Sequence, residues 1–124
     1  MASSQSKVLI VDDDPSHLEI YSMLLKQAAF DPVTALVQFV GVDLPQDEEI
    51  GLVLLDYRLN SLKTSAQVAE EIRLSYPDAP IVLLSDLWQL PADIEPFVAA
   101  FVRKGEPAKL IETVARLRQS CSKP

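Results

Sequence analysis

Short apolar runs that contain almost no polar residues constrain the fold of this chain most strongly. Five segments have strand character: residues 7–11, 32–36, 51–55, 80–84 and 100–103. Four of them are near-continuous aliphatic or aromatic runs, whereas a strand with one face in water would alternate apolar and polar side chains. The runs therefore predict a parallel sheet that is covered on both faces.

Helical spacing marks three of the connecting segments: residues 15–29, 64–75 and 107–119. Asp14 is suited to cap the first of these helices, with Pro15 at its first position. Thr64 or Ser65 is suited to cap the second. The caps and the spacing together predict three regular helices.

Two further connections, residues 37–42 and 91–99, are predicted to be irregular turns. The first is short and ends near Gly41, and the second contains Pro96, which cannot donate a helical hydrogen bond. Strand and connection still alternate five times along the chain. This order predicts an α/β domain with right-handed crossovers and helices on both faces of the sheet.

Composition is typical of an ordinary globular domain. The 124 residues, 48% hydrophobic and 23% charged, predict a single domain over 1–124, with a core at about 7–118 and frayed polar ends. A net charge of -7 repels phosphate backbones and anionic membranes, which argues against direct nucleic-acid binding. The apolar runs are too short for membrane insertion, the start lacks signal-peptide features, and the single cysteine, Cys121, permits no internal disulfide. These features predict a cytoplasmic protein.

Polar side chains follow four of the five predicted strands. Asp12 and Asp13 follow the first strand, Asp56 the third, Ser85 the fourth and Lys104 the fifth. In open α/β sheets, ligands bind beyond the carboxyl ends of the strands. Three acids, a hydroxyl and an amine are therefore expected to meet at one rim of the sheet.

The chemistry of these side chains predicts a phosphoryl site that depends on Mg2+. Carboxylates grouped without His or Cys form a hard oxygen site of the kind that holds this ion. Lys104 and Ser85 are suitable partners for a phosphate bound to the metal. Taken alone, the acidic run at 12–14 also fits a solvated loop with a helix cap, whereas Asp56 at the end of an apolar strand is harder to explain without a ligand.

Four motifs, VLIVDDD, LVLLDYRL, PIVLLSD and FVRKGE, occur in this order over about residues 7–118. Together they resemble the motif set of the receiver domain of bacterial two-component response regulators. The resemblance implies a flavodoxin-like (βα)5 three-layer sandwich with a parallel sheet of order 2-1-3-4-5. It also implies a signalling module rather than an enzyme, which takes a phosphoryl group from a histidine kinase or phosphotransfer protein and loses it by slow autodephosphorylation.

The resemblance further implies a role for each acidic rim residue. Asp56 would be the phosphoacceptor nucleophile. Asp13, Asp56 and the backbone carbonyl of Arg58 would bind Mg2+, and Asp12 would act mostly through a bound water. 

The same resemblance assigns roles to residues on the last two strands. Lys104 would pair with the phosphoryl group, and Ser85 would donate to a phosphoryl oxygen after phosphorylation. Phe101 matches the aromatic switch position and would act together with Ser85, although ordinary strand packing explains Phe101 equally well.

Several positions depart from the family pattern. Gly105 stands where the family usually has proline directly after the lysine, so the loop after Lys104 is expected to be built differently. Asn60, four residues after Asp56, also stands where the family usually has proline. Asp86 replaces a small residue and is expected to slow phosphorylation by small donors, through crowding or repulsion. Only 19 positions separate Ser85 from Lys104, which predicts a short or distorted fourth helix.

Trp88, His17 and Cys121 each occur where the sequence gives no clear functional role. Trp88, the only tryptophan, either caps the core or belongs to an exposed partner patch. His17 has no second His or Cys to complete a ligand set and is interpreted as a surface residue. Cys121 is interpreted as an inert thiol in the tail.

Two other functions were weighed against the phosphoacceptor function. A phosphatase of the haloacid-dehalogenase type is rejected, because Arg58 stands where the second catalytic aspartate is required. A receiver-like interaction module that never takes up phosphate stays open. The downstream protein is unknown, a homodimer is allowed, and the chain is either a stand-alone receiver or part of a longer regulator.

Overall fold

The computed structural model describes residues 7–47 and 49–122, with side chains described as far as residue 118. The frayed start predicted at 1–6, the last two residues and the side chain of Cys121 lie outside this description.

Five strands form one parallel sheet, and their bounds lie within one residue of the predicted segments. They are β1 (Lys7–Asp12), β2 (Asp31–Leu36), β3 (Ile50–Asp56), β4 (Ile81–Ser85) and β5 (Ala100–Arg103). The strand order is β2-β1-β3-β4-β5, which confirms the order that the family resemblance implies. All seven residues of β3 are buried, as expected for a central strand covered on both faces.

Three helices cover the two faces of this sheet. They are α1 (Pro15–Gln27), α2 (Ser65–Ser75) and α3 (Pro107–Ser122), and α3 continues past the predicted end at 119. The predicted caps are confirmed: the side chain of Asp14 accepts from the N–H of Ser16, and Thr64 forms a reciprocal capping box with Gln67.

The alternation of side chains along β1 divides the core into two layers. Leu9 and Val11 pack with α2 on one face of the sheet, where Val68, Ala69 and Ile72 are fully buried. The other face holds a second cluster between the sheet and the helices α1 and α3, which includes Val8, Ile10, Leu18, Leu25, Leu110 and Val114. The molecule is therefore the predicted three-layer sandwich.

The two connections predicted to be irregular contain no α-helix in their described residues. Between β2 and β3 the chain makes one bridge, from Gln38 to Gly41, and between β4 and β5 it forms a single 3-10 turn at Glu95–Phe97. The (βα)5 pattern is thus reduced to five strands and three α-helices over the described residues. In that part of the chain, no helix is both long and apolar enough to cross a membrane.

Candidate functional site

Four of the five predicted rim residues lie where β1, β3, β4 and β5 end. Asp12, Asp56 and Ser85 are the last residues of β1, β3 and β4, and each is at most 3% exposed. Lys104 directly follows β5, and its N–H donates to the carbonyl of Ser85 at 2.8 Å. Buried charges need partners, so the contacts among these groups determine what the rim can bind.

Asp56 is paired with Lys104. The ammonium Nζ of Lys104 lies 2.9 Å from Oδ1 of Asp56, and the N–H of Arg58 donates to the same oxygen at 3.3 Å. Burial alone lowers the pKa of Lys104, but the hydrogen bond and charge of Asp56, with the charge of Asp12, outweigh it and raise this pKa. Lys104 is therefore a fixed cation beside the aspartate.

Asp12 carries the unbalanced charge of the rim. Burial, and then the charge of the neighbouring Asp56, raise the pKa of Asp12 from 3.8 to about 7. The N–H of Asp14 donates to Oδ1 of Asp12 at 3.1 Å and opposes this shift. Two buried carboxylates with one ammonium leave an excess of negative charge, so the donor set fits a divalent cation with oxygen ligands.

Asp13 is oriented by the loop after β3. Its Oδ2 accepts from the N–H of Asn60 at 2.8 Å. A proline has no N–H, so Asn60 makes a contact that the proline usual at this position cannot make. The assignments of Asp13 and of the Arg58 carbonyl as metal ligands stay predictions.

His17 reaches the surface, as interpreted, but its ring also faces the acidic rim. Its side chain is 39% exposed, and Nδ1 lies 3.3 Å from Oδ2 of Asp12. Together with Asp56, these residues offer ligand atoms that all lie within 4.8 Å of one another. The position of His17 on the first turn of α1, directly after β1, could have indicated this placement. Its partners are carboxylates, whereas the sequence interpretation considered only His and Cys as partners.

The switch residues are both held by local contacts. The hydroxyl oxygen of Ser85 accepts from the N–H of Leu87 at 3.0 Å. Phe101 is partly buried and packs against the core cluster on the α2 side of the sheet. Its packing agrees with the ordinary strand role, and its switch role stays a prediction.

An ion pair spans the loops that follow β3 and β4. Nε of Arg58 lies 3.2 Å from Oδ1 of Asp86, and both side chains are more than half exposed. The carboxylate of Asp86 is thus partnered, which weakens the case for simple repulsion of a phosphate donor.

Gly105, after β5, and Trp88, after β4, lie in the two segments where the sequence departs from the family pattern. Gly105 has a φ of 87°, a left-handed conformation that favours glycine and that proline cannot adopt, so the loop after Lys104 is built differently, as expected. Trp88 is 80% exposed and stacks on Arg103, whose guanidinium carbon lies 3.6 Å from the ring centroid. The alternative that Trp88 caps the core is wrong.

Comparisons with known proteins agree on one kind of domain. No family model matches the chain. It is 28% identical over 91 residues to the transcriptional regulatory protein GlrR of Escherichia coli K12, and 26% identical over 91 residues to the cell cycle transcriptional regulator CtrA of Caulobacter vibrioides. Both alignments cover 73% of this chain, but only 20% of GlrR and 39% of CtrA. 

The fold is matched by the response regulator TrrA of Thermotoga maritima, solved in complex with Mg2+ and BeF. The TM-score is 0.70 at 24% identity, and the match covers 90% of this chain and 98% of TrrA. The chain therefore has the fold of a receiver domain. Its aligned part spans a fifth to two fifths of the two curated relatives named above.

Proposed function

We propose that this receiver domain accepts a phosphoryl group on Asp56 from a histidine kinase or phosphotransfer protein and signals through protein contacts. The observation that supports this most strongly is the pairing of the buried Asp56 with the partly exposed Lys104, beside the buried Asp12. A carboxylate held next to one fixed cation and one further carboxylate is suited to attack phosphorus while the surrounding charges stabilise the transferred group.

The transfer is an in-line displacement at phosphorus. A bond forms between a carboxylate oxygen of Asp56 and phosphorus, as the bond from phosphorus to the donor histidine nitrogen breaks. Because Lys104 and Arg58 both donate to Oδ1, Oδ2 is the oxygen best placed to attack. Lys104 neutralises part of the charge on the phosphoryl oxygens, and water later hydrolyses the acyl phosphate.

The acidic rim fits Mg2+, with Asp12 and Asp56 as holding residues and Asp13 and the Arg58 carbonyl as further proposed ligands. When bound, the ion supplies charge neutralisation at the phosphoryl oxygens. Ser85 accepts from the Leu87 N–H and so keeps its own hydroxyl hydrogen, which it would donate to a phosphoryl oxygen.

Fluorescence of Trp88 tests this function. Beryllofluoride, a mimic of the phosphoryl group, is titrated into the wild type and into Asp56→Asn, with and without Mg2+. We expect a saturable change that requires both Mg2+ and Asp56, because Trp88 contacts Arg103, the residue before Lys104. A response that is equal in Asp56→Asn, or absent throughout, would contradict the proposal and favour the interaction module that works without phosphate.

A further inference from the structure

One side chain of the rim is of a different chemical kind from the carboxylates around it. His17 is the only histidine of the chain, and its Nδ1 faces the buried carboxylate of Asp12. Asp56 completes a group of three ligand atoms within 4.8 Å of one another. An imidazole nitrogen in this group changes which metal ions the site prefers, because imidazole suits transition metals and Mg2+ prefers oxygen ligands.

The spacing between His17 and Asp12 fits two ligands of one ion. Nδ1 and Oδ2 are 3.3 Å apart, whereas charge-assisted N–H···O hydrogen bonds are about 2.7–2.9 Å long. Two ligand atoms at about 2.0–2.1 Å from a tetrahedral ion lie about 3.3 Å from each other. The separation therefore equals the edge of such a coordination shell and exceeds the length of a charge-assisted hydrogen bond.

The second ring nitrogen of His17 faces a further carboxylate. Nε2 lies 3.6 Å from Oδ2 of Asp14, beyond hydrogen-bond distance, while Oδ1 of Asp14 is held by the N–H of Ser16 at the start of α1. A histidine that binds a metal almost always donates its other N–H to a carboxylate, a carbonyl or water. Tyr21 packs edge-on against the ring, with centroids 6.3 Å apart, and supports its orientation.

We propose that His17 binds the metal through Nδ1 together with Asp12 and Asp56, so that the site takes a first-row transition ion such as Zn2+ in preference to Mg2+. This inference rests on the proposed function, since it assigns the metal of the same site. It differs from the all-oxygen site expected from the sequence by one nitrogen ligand.

Calorimetric titration of the metal-free, untagged chain with Zn2+ or Mg2+ tests the assignment. The variants are His17→Leu, which removes the nitrogen, and Glu19→Gln, a control at an exposed position of the same helix. We expect His17→Leu to weaken Zn2+ binding at least tenfold and to leave Mg2+ binding within about twofold, because a neutral imidazole adds little for a hard ion. Glu19→Gln should leave both affinities unchanged. 

Nitrogen-15 NMR gives a second readout, since the chain has one imidazole. The Nδ1 resonance of His17 should shift on addition of Zn2+. An unshifted resonance, or equal Zn2+ affinity in the wild type and His17→Leu, would overturn the inference.

The two proposals fail in different experiments. If the wild type shows the Mg2+-dependent beryllofluoride response but His17→Leu binds Zn2+ as the wild type does, the metal assignment is wrong and the phosphoacceptor function stands. If Zn2+ binds through His17 but no beryllofluoride response occurs, the phosphoacceptor function is wrong and the metal assignment stands.

Discussion

Asp12 is the residue whose environment conflicts most with its ionised form. Its side chain is 1% exposed, and its pKa is raised to about 7 by burial and then by the charge of Asp56. The unfolded chain loses this proton near pH 4, whereas the folded metal-free chain keeps it until about pH 7. The free energy of unfolding therefore falls as the pH rises between these two values, and the loss is complete above the folded pKa.

Asp12→Asn should remove this cost. We expect the metal-free variant to be more stable than the wild type by up to about 4 kcal/mol at pH 8, and by much less at pH 4, because the amide never ionises. Urea unfolding at the two pH values measures the difference, with the exposed Asp78→Asn as the control. A wild type that gains stability between pH 4 and pH 8, relative to Asp12→Asn, would show that Asp12 is ionised at little cost.

The effect of Asp86 on a phosphoryl donor depends on a single partner, Arg58. The exposed pair with Arg58 adds little to stability. Asp86→Ala should leave Arg58 free to attract an anionic donor, and we expect phosphorylation by a small donor to become about threefold faster at low salt. Rates measured in Asp86→Ala, Arg58→Ala and the double variant separate the two charges. Equal rates in Asp86→Ala and the wild type would reject a role for Asp86 in donor access.

At the scale of elements, the loop between β3 and α2 couples the acidic run to the rest of the rim. Asn60→Pro should break the bond from the Asn60 N–H to Asp13 and lower stability by about 1–2 kcal/mol. It should also release the Asp13 carboxylate and tighten Mg2+ binding several-fold. Asn60→Ala keeps the N–H and is the matched control. Calorimetry with Mg2+ checks the prediction, which fails if both variants bind Mg2+ with the same affinity.

The strands could be predicted because burial on both faces requires near-continuous apolar runs, as in the fully buried β3. Their order was implied only by the family resemblance. The caps at Asp14 and Thr64 could be predicted because they depend on local chemistry. The position of Trp88 could not, since it depends on whether a helix forms between β4 and β5 and covers it. The contact of His17 with the rim could not be predicted from the number of His and Cys residues. Its partners are carboxylates that the turn from β1 to α1 brings near.

At the scale of the whole molecule, a phosphoryl group on Asp56 would lie where four of the five strands end. Ser85 and Lys104 are joined through their backbones, and Arg103 stacks on the exposed Trp88. Asp56 contacts Lys104, and Lys104 is bonded to Arg103, which stacks on Trp88. A change at Asp56 can therefore reach the surface formed by the connection between β4 and β5 through few contacts. Moving such a face from mostly inactive to mostly active takes about 5.5 kcal/mol of differential interaction, which a dianion held by a metal, an amine and a hydroxyl is suited to supply.

Phosphorylation mapped by mass spectrometry tests the central claim most directly. The wild type and Asp56→Asn are incubated with phosphoramidate, a small phosphoryl donor, with and without Mg2+, and the modified residue is identified in peptides. We predict one phosphoryl group on Asp56 of the wild type, formed only with the metal, and none in the variant. Absence of label in the wild type, or the same label in Asp56→Asn, would contradict the assignment of Asp56 as the phosphoacceptor.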